Sequence, residues 1–427
     1  MSGSIPTHQP SDHTHDHPND EGLNALSLLM LNHGEQYIRQ YKANIQQIKL
    51  IRSMRLCRTP ALGWHRISCK TCGKSQVIYL SCGNNHCPIC QQKKRDQWIE
   101  KFQKKLLEVP YVHIVTTLPV ELRGLAKQNK GIVYEIMLKS TWQMIKEVLA
   151  EENQTDILAG ATSVLHTFGS DMKYHVHVHS LVSFGGLDTK TNKWQKPNKS
   201  DRIAPYKKMK IAFRKQFMHH LEESYNKGEI NYHKSYQELE VELAQRYWVV
   251  HNTEPTVSTK TLENYLSRYI NRIAVSSSRV KYLSHDQKVE LKYKDYTNQK
   301  EGEAAPMLSK QMDPLIFIEQ FMQHILPPYF HKTRHWGLHH HSTAKKYKET
   351  LKNLKRTPDV LVLIIRYIKK LLQTERPKCR ECNGYDLEIS HHAGDRKWLE
   401  QYIPQLAHYP RPRPPTSKRN TKKYGNE

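Results

Sequence analysis

KYHVHVHSLVSF, residues 173–184, sets three histidines at every second position of an otherwise apolar run. Residues two apart on a strand share a face, so His175, His177 and His179 point one way and Val176 and Val178 the other. Neighbouring imidazoles in this row are separated by roughly 6.6 Å along the strand and can converge on one ion, whereas the outer two span about 13 Å. Two of the three are therefore expected to chelate, with the third as a neighbour. Alone, the pattern fits either a metal site or a polar crevice. The rest of the chain has to decide.

Upstream, SVLHTF (163–168) reads as a second strand, and the intervening GSDMK has the Gly, Ser and Asp of a hairpin loop. YVHIVTTL (111–118), ended by Pro119, is a further strand, WVVH (248–251) a short one, and VKYLSH with KVELKYK a hairpin around Asp286. Apolar residues recur at helical intervals from Leu23 to Leu56, and helices are expected over 121–150, 206–226, 234–246 and 258–273. Gln91–Leu107 interleaves basic residues with Trp98, Ile99, Phe102 and Leu106, the pattern of an amphipathic helix with a cationic outer face. The fold class is α+β: a helix and cysteine module over 23–107, an antiparallel sheet flanked by helices over 108–300, and a basic helical region over 301–408. The tails 1–22 and 409–427 are expected to be disordered.

Sixty-six Lys and Arg stand against 41 Asp and Glu, a formal net charge of +25. Such an excess is the electrostatic footprint of a polyanion partner, and nucleic acid is the expectation. The absence of a long apolar run or a signal-peptide layout predicts a soluble, cytoplasmic protein.

All eight cysteines belong to clustered pairs or their neighbours, and in a reducing compartment that usage points to metal rather than disulfides. Cys69 and Cys72 with Cys87 and Cys90 give C-x2-C-x14-C-x2-C, a strong zinc-ribbon signal. Cys57, His65, Cys82 and His86 are the candidates for a second, interleaved tetrahedral site, the alternative being buried thiols and surface histidines. Cys379 and Cys382, followed by His391 and His392, could make another site or be a chance CxxC. Structural zinc has no open coordination position, so these modules fold and bind rather than catalyse.

LENYLSRYINRIAVSSSR (262–279) places Tyr265 and Tyr269 four apart on one helix face with Arg268 and Arg272 beside them. A phenol is a poor nucleophile until a metal and cations make its anion accessible. Two such groups would permit two successive attacks on phosphodiesters; as a generic pattern, however, YxxxY belongs to packed core helices.

Taken in order, CRTPALGWHRISCKTCG, SCGNNHCPICQ, HIVTTLPVELR, LHTFGSDMKYHVHVHSLVSFGGL, ENYLSRYINRIAVSSSRV and HILPPYFHKTRHWGL resemble the two-tyrosine HUH transposases of the insertion sequence 91 family over about residues 23–340. The resemblance implies a DNA strand transferase of rolling-circle type. It implies His177 and His179 as the metal-binding pair for Mg²⁺ or Mn²⁺, Tyr265 and Tyr269 as nucleophiles, zinc in the cysteine module, and single-stranded DNA as substrate. The third ligand varies in HUH enzymes; His166, on the preceding strand, is the candidate here. Val176 stands where the family has Pro, and Asn85 where it has Arg before the His-Cys pair. With no helicase segment, strand separation is expected from supercoiling or host enzymes. The rival reading is a non-catalytic zinc-dependent DNA-binding protein; a zinc hydrolase of HxHxD type is disfavoured by Leu181.

Overall fold

The computed structural model describes residues 24–91, 102, 106–198, 201–256, 274–296, 298–300, 303–347, 379, 381–384 and 386–394. Capping decides how the chain begins. The periodic stretch from Leu23 to Leu56 is divided into α1 (Ala25–Gln40) and α2 (Ile45–Leu56), and Asn44 makes the break. Its side chain accepts from the N–H groups of Gln46 and Gln47 while the Gln47 side chain accepts from the Asn44 N–H, a reciprocal pair that satisfies donors a helix start leaves open.

After α2, β1 (Trp64–Cys69) and β2 (Ser75–Tyr79) form an antiparallel hairpin. Most of the basic helix expected over 91–107 lies outside the described residues. The central sheet starts with β3 (Tyr111–Thr117); α3 (Lys130–Asn153) follows, then β4 (Gly160–Phe168) and β5 (Tyr174–Ser183), the histidine strand. Next come α4 (Tyr206–Asn226), α5 (Tyr236–Ala244) and β6 (Val249–Asn252). The helix expected over 258–273 lies outside the described residues. Beyond it are β7 (Val280–Leu283), β8 (Lys288–Lys294), β9 (Met307–Met312), α6 (Pro314–Met322), β10 (Thr333–Gly337) and β11 (Leu387–His392).

The central sheet has five strands in the order β10–β4–β5–β3–β6, all neighbours antiparallel. Alternation divides its faces. Val112, Ile114, Val176, Val178 and Val182 pack with Met137 and Ile145 of α3 and with Phe213 and Phe217 of α4 in one core. That leaves the intervening positions, the histidines among them, on the opposite face. A second core joins α1 and α2 to β7, β8 and α6, and includes Cys57, Cys87 and Cys90. The N-terminal helices and the 280–325 elements are thus one packed unit.

The helical reading of 301–408 is corrected for its described residues, which hold β9, β10 and β11 beside two helices, α6 and His341–Lys346; the rest of the region lies outside the described residues. None of these strands has a buried face to impose an apolar alternation on its sequence, and β10 and β11 find partners in distant parts of the chain. β10 ends at Gly337, whose φ is +52° and where a Cβ would fall 1.8 Å from the Ala159 carbonyl oxygen. Gly337→Ala should therefore cost more than about 1 kcal/mol, measured by denaturant unfolding, because both the left-handed backbone and the close approach exclude a side chain. Among the described residues no helix is long and apolar enough to cross a membrane.

Candidate functional site

Strand register gathers the histidines. On the β4–β5 pair His166 lies opposite His177 and Val164 opposite His179, with an irregularity between His166 and Phe168. His166, His177 and His179 therefore share a sheet face, and their ligating nitrogens all lie within 4.8 Å of one another. Bonds of about 2.1 Å from each to one ion require only small side-chain rotations. His166 and His179 are buried and His177 half-buried, so the group opens on one side. His175 stands outside it, as expected for the end of a row too long for one ion. Its ring neighbours His177 alone of the three, at 4.9 Å between centroids.

Hydrogen bonds set the imidazoles' orientation. His177 Nδ1 is 2.9 Å from the His175 carbonyl oxygen. A carbonyl only accepts, so Nδ1 carries the proton and Nε2 keeps its lone pair for an ion. His179 Nδ1 lies 2.9 Å from His113 Nε2, which leaves His179 Nε2 as its ligating atom. Burial first, then the nearby His251 and His177, push the His113 pKa down to about 3. A neutral imidazole there buttresses His179 without adding charge. The sequence reading missed His113; the signal was present in YVHIVTT, where it occupies a position that alternation aims at the same face as His179. Tyr265, Tyr269, Arg268 and Arg272 lie outside the described residues.

The cysteines form two groups of four, and the pairing differs from the one spacing favoured. Cys57, Cys82, Cys87 and Cys90 make one group, Cys69, Cys72, Cys379 and Cys382 the other. The expected quartet Cys69, Cys72, Cys87 and Cys90 is thereby corrected. Its two halves sit at opposite ends of the β1–β2 hairpin, and a strand of six residues holds those ends about 20 Å apart. Sulfur separations of 3.5, 3.6 and 3.7 Å in the first group match the edge of a tetrahedron with zinc–sulfur bonds of about 2.3 Å, and are far from a disulfide.

Neither His65 nor His86 joins a cysteine group. His65 pairs across strands with His391. His86 lines a cavity of about 730 Å³ between the Gly83–Gln91 loop, β4 and the 321–333 segment. Burial, then Lys332 and Lys130, lowers its pKa to about 4. A further trio, His219, His220 and Glu223, lies within about one turn of α4, with His220 Nδ1 3.1 Å from a Glu223 carboxylate oxygen.

Known proteins resemble most of this chain in sequence. The family model described as "Putative transposase" matches residues 160–346, and the one described as "Transposase zinc-binding domain" matches residues 29–118. The protein named "Putative transposase y4qJ" of Sinorhizobium fredii is 31% identical over 327 residues, covering 74% of this chain and 79% of that protein. The chain belongs to the insertion sequence 91 family of transposases. The transposase is also 24% identical over 357 residues to the "Transposase for insertion sequence element IS801" of Pseudomonas savastanoi pv. phaseolicola, covering 79% of this chain and 82% of that protein. No solved structure matches it. DNA is its partner, in keeping with the net charge of +25. The first matched region holds His166, His177 and His179, while Cys379 and Cys382 of the transposase fall outside both regions.

Proposed function

We propose that the transposase nicks and rejoins single-stranded DNA through 5′-phosphotyrosine intermediates, by a rolling-circle-like route. What carries this reading is the convergence of three imidazoles from two antiparallel strands, one of them fixed in the tautomer that ligation needs. The donor set fits a divalent ion, and all-nitrogen ligation suits Mn²⁺ better than Mg²⁺, which prefers oxygen. Such an ion supplies positive charge to the scissile phosphodiester.

The residues of the chain do the rest. His166, His177 and His179 would hold the ion, and His113 keeps the His179 ring in place. The phenol oxygen of Tyr265 or Tyr269 forms a bond to phosphorus as the bond from phosphorus to the 3′ oxygen breaks. The proton lost by the phenol ends on that oxygen as a free 3′-OH. The phosphodiester energy is retained in the phosphotyrosine, so reversal by another 3′-OH rejoins strands. Arg268 and Arg272 offset the developing charge, and the second tyrosine serves the second end. Unpaired substrate would come from supercoiling or a host helicase.

Incubation with single-stranded DNA and Mn²⁺ should give a covalent protein–DNA adduct, read on a denaturing gel. The Tyr265→Phe/Tyr269→Phe double variant should give none. An adduct of undiminished yield in that variant removes the tyrosines from the mechanism; no adduct in either protein leaves a DNA-binding role only.

A further inference from the structure

The zinc-binding match, residues 29–118, contains six cysteines: Cys57, Cys69, Cys72, Cys82, Cys87 and Cys90. Six thiolates fill one tetrahedron and half of another. The fold supplies the missing half from the far end of the chain. Cys69 Sγ lies 3.6 Å from Cys382 Sγ, 313 residues on, and Cys72 Sγ lies 3.6 Å from Cys379 Sγ, 307 residues on. We propose that Cys69, Cys72, Cys379 and Cys382 bind a second Zn²⁺, which clasps the 379–392 segment onto the N-terminal module.

Three features support a built site over a chance meeting of thiols. Both CxxC segments make the same turn. In CKTCGK the Gly73 N–H bonds the Cys69 carbonyl and the Cys69 N–H bonds the Lys74 carbonyl; in CRECNG the Asn383 N–H bonds the Cys379 carbonyl and the Cys379 N–H bonds the Gly384 carbonyl. The residue after the second cysteine has positive φ in each, +72° at Gly73 and +58° at Asn383. Two such knuckles facing each other present four sulfurs at tetrahedral spacing.

Secondly, the strand leaving the C-terminal knuckle completes the N-terminal sheet. β11 pairs antiparallel with β1 from Trp64↔His392 to Cys69↔Leu387, and the Trp64 and His392 rings stack at 5.1 Å. Lastly, the module leaves room for this segment. Gly63 has φ +90°, and a Cβ there would lie 2.6 Å from the His392 carbonyl oxygen; one at Gly384 would lie 2.9 Å from Thr71 Oγ1. The zinc ion closes a loop of some three hundred residues, the arrangement in which a cross-link removes most freedom from the unfolded chain.

Zinc content of the full-length wild-type protein, measured by mass spectrometry of the metal, should be two per chain. Cys379→Ser/Cys382→Ser should bring one. Two zinc ions retained by the variant, or one in the wild type, overturns the proposal. An independent readout needs no variant. In the zinc-loaded wild type, Cys379 and Cys382 should resist alkylation as strongly as Cys69 and Cys72, and a chelator should release all four together. Labelling of Cys379 and Cys382 in the loaded protein at the rate of the chelated protein also overturns it.

Discussion

Replacing His177 and His179 together by alanine should lower Mn²⁺-dependent cleavage of single-stranded DNA by about a thousandfold or more. A metal ion's polarisation of a phosphodiester contributes several kcal/mol, and each 1.36 kcal/mol is about a factor of ten in rate. His166→Ala should follow the same direction, since its nitrogen lies within the same 4.8 Å group. The geometry sets a graded expectation around that group. His113→Ala removes the partner of His179 Nδ1 and should weaken the Mn²⁺ requirement's midpoint by about 10–100-fold, the usual effect of losing a residue that orients a ligand. His175→Ala keeps the backbone carbonyl that fixes His177 and should change activity only a few-fold. Steady-state cleavage against Mn²⁺ concentration measures all four. A His175→Ala loss as deep as that of His177→Ala/His179→Ala would mean the ion sits at the other end of the row.

How much of this was readable in advance depends on the range of the interaction concerned. The histidine strand, its hairpin partner and the sharing of one face by His177 and His179 follow from a period of two and a turn of a few residues, all local. His166 was legible only as a candidate on the preceding strand; the β4–β5 register that sets it opposite His177 comes from the structure. His113 did not, because its role depends on β3 lying beside β5, a pairing between strands separated by α3 and β4 that no short-range pattern records. The cysteines show the same limit more sharply. C-x2-C-x14-C-x2-C has the spacing of a single zinc ribbon, and spacing was misleading here because the fourteen intervening residues include β2, which runs away from the Cys69–Cys72 turn as the second strand of the hairpin. The true partners of Cys69 and Cys72 lie over three hundred residues away. C-terminal strands were missed for a related reason: their hydrogen-bond partners β4 and β1 come from earlier in the chain, and neither strand has a buried face to impose an apolar alternation on its sequence.

The second large effect concerns the other cysteine group. Cys87→Ser should abolish the cooperative unfolding transition of the unit built from α1, α2, β7, β8 and α6, and chelation of the wild type should do the same. Cys57, Cys87 and Cys90 are buried in that unit's core beside Leu50, Met54 and Phe317, so an unliganded thiolate or serine there faces carbon rather than water. Structural zinc contributes about 10–16 kcal/mol in small zinc modules, which equals or exceeds the whole stability of an ordinary domain at about 5–15 kcal/mol. The sheet with α3 and α4 has its own core, free of cysteine, and should keep its helical and strand signal. Calorimetry of chelated protein is therefore expected to show one surviving transition where the zinc-loaded protein shows the full unfolding heat. Cys379→Ser/Cys382→Ser should be milder, because Cys72 and Cys382 of that group are exposed and water can solvate what the metal leaves behind. If Cys87→Ser left the full transition in place with its midpoint moved by less than a few degrees, the first group would be a cluster of packed thiols, and zinc would have no part in holding the N-terminal helices to the rest of the transposase.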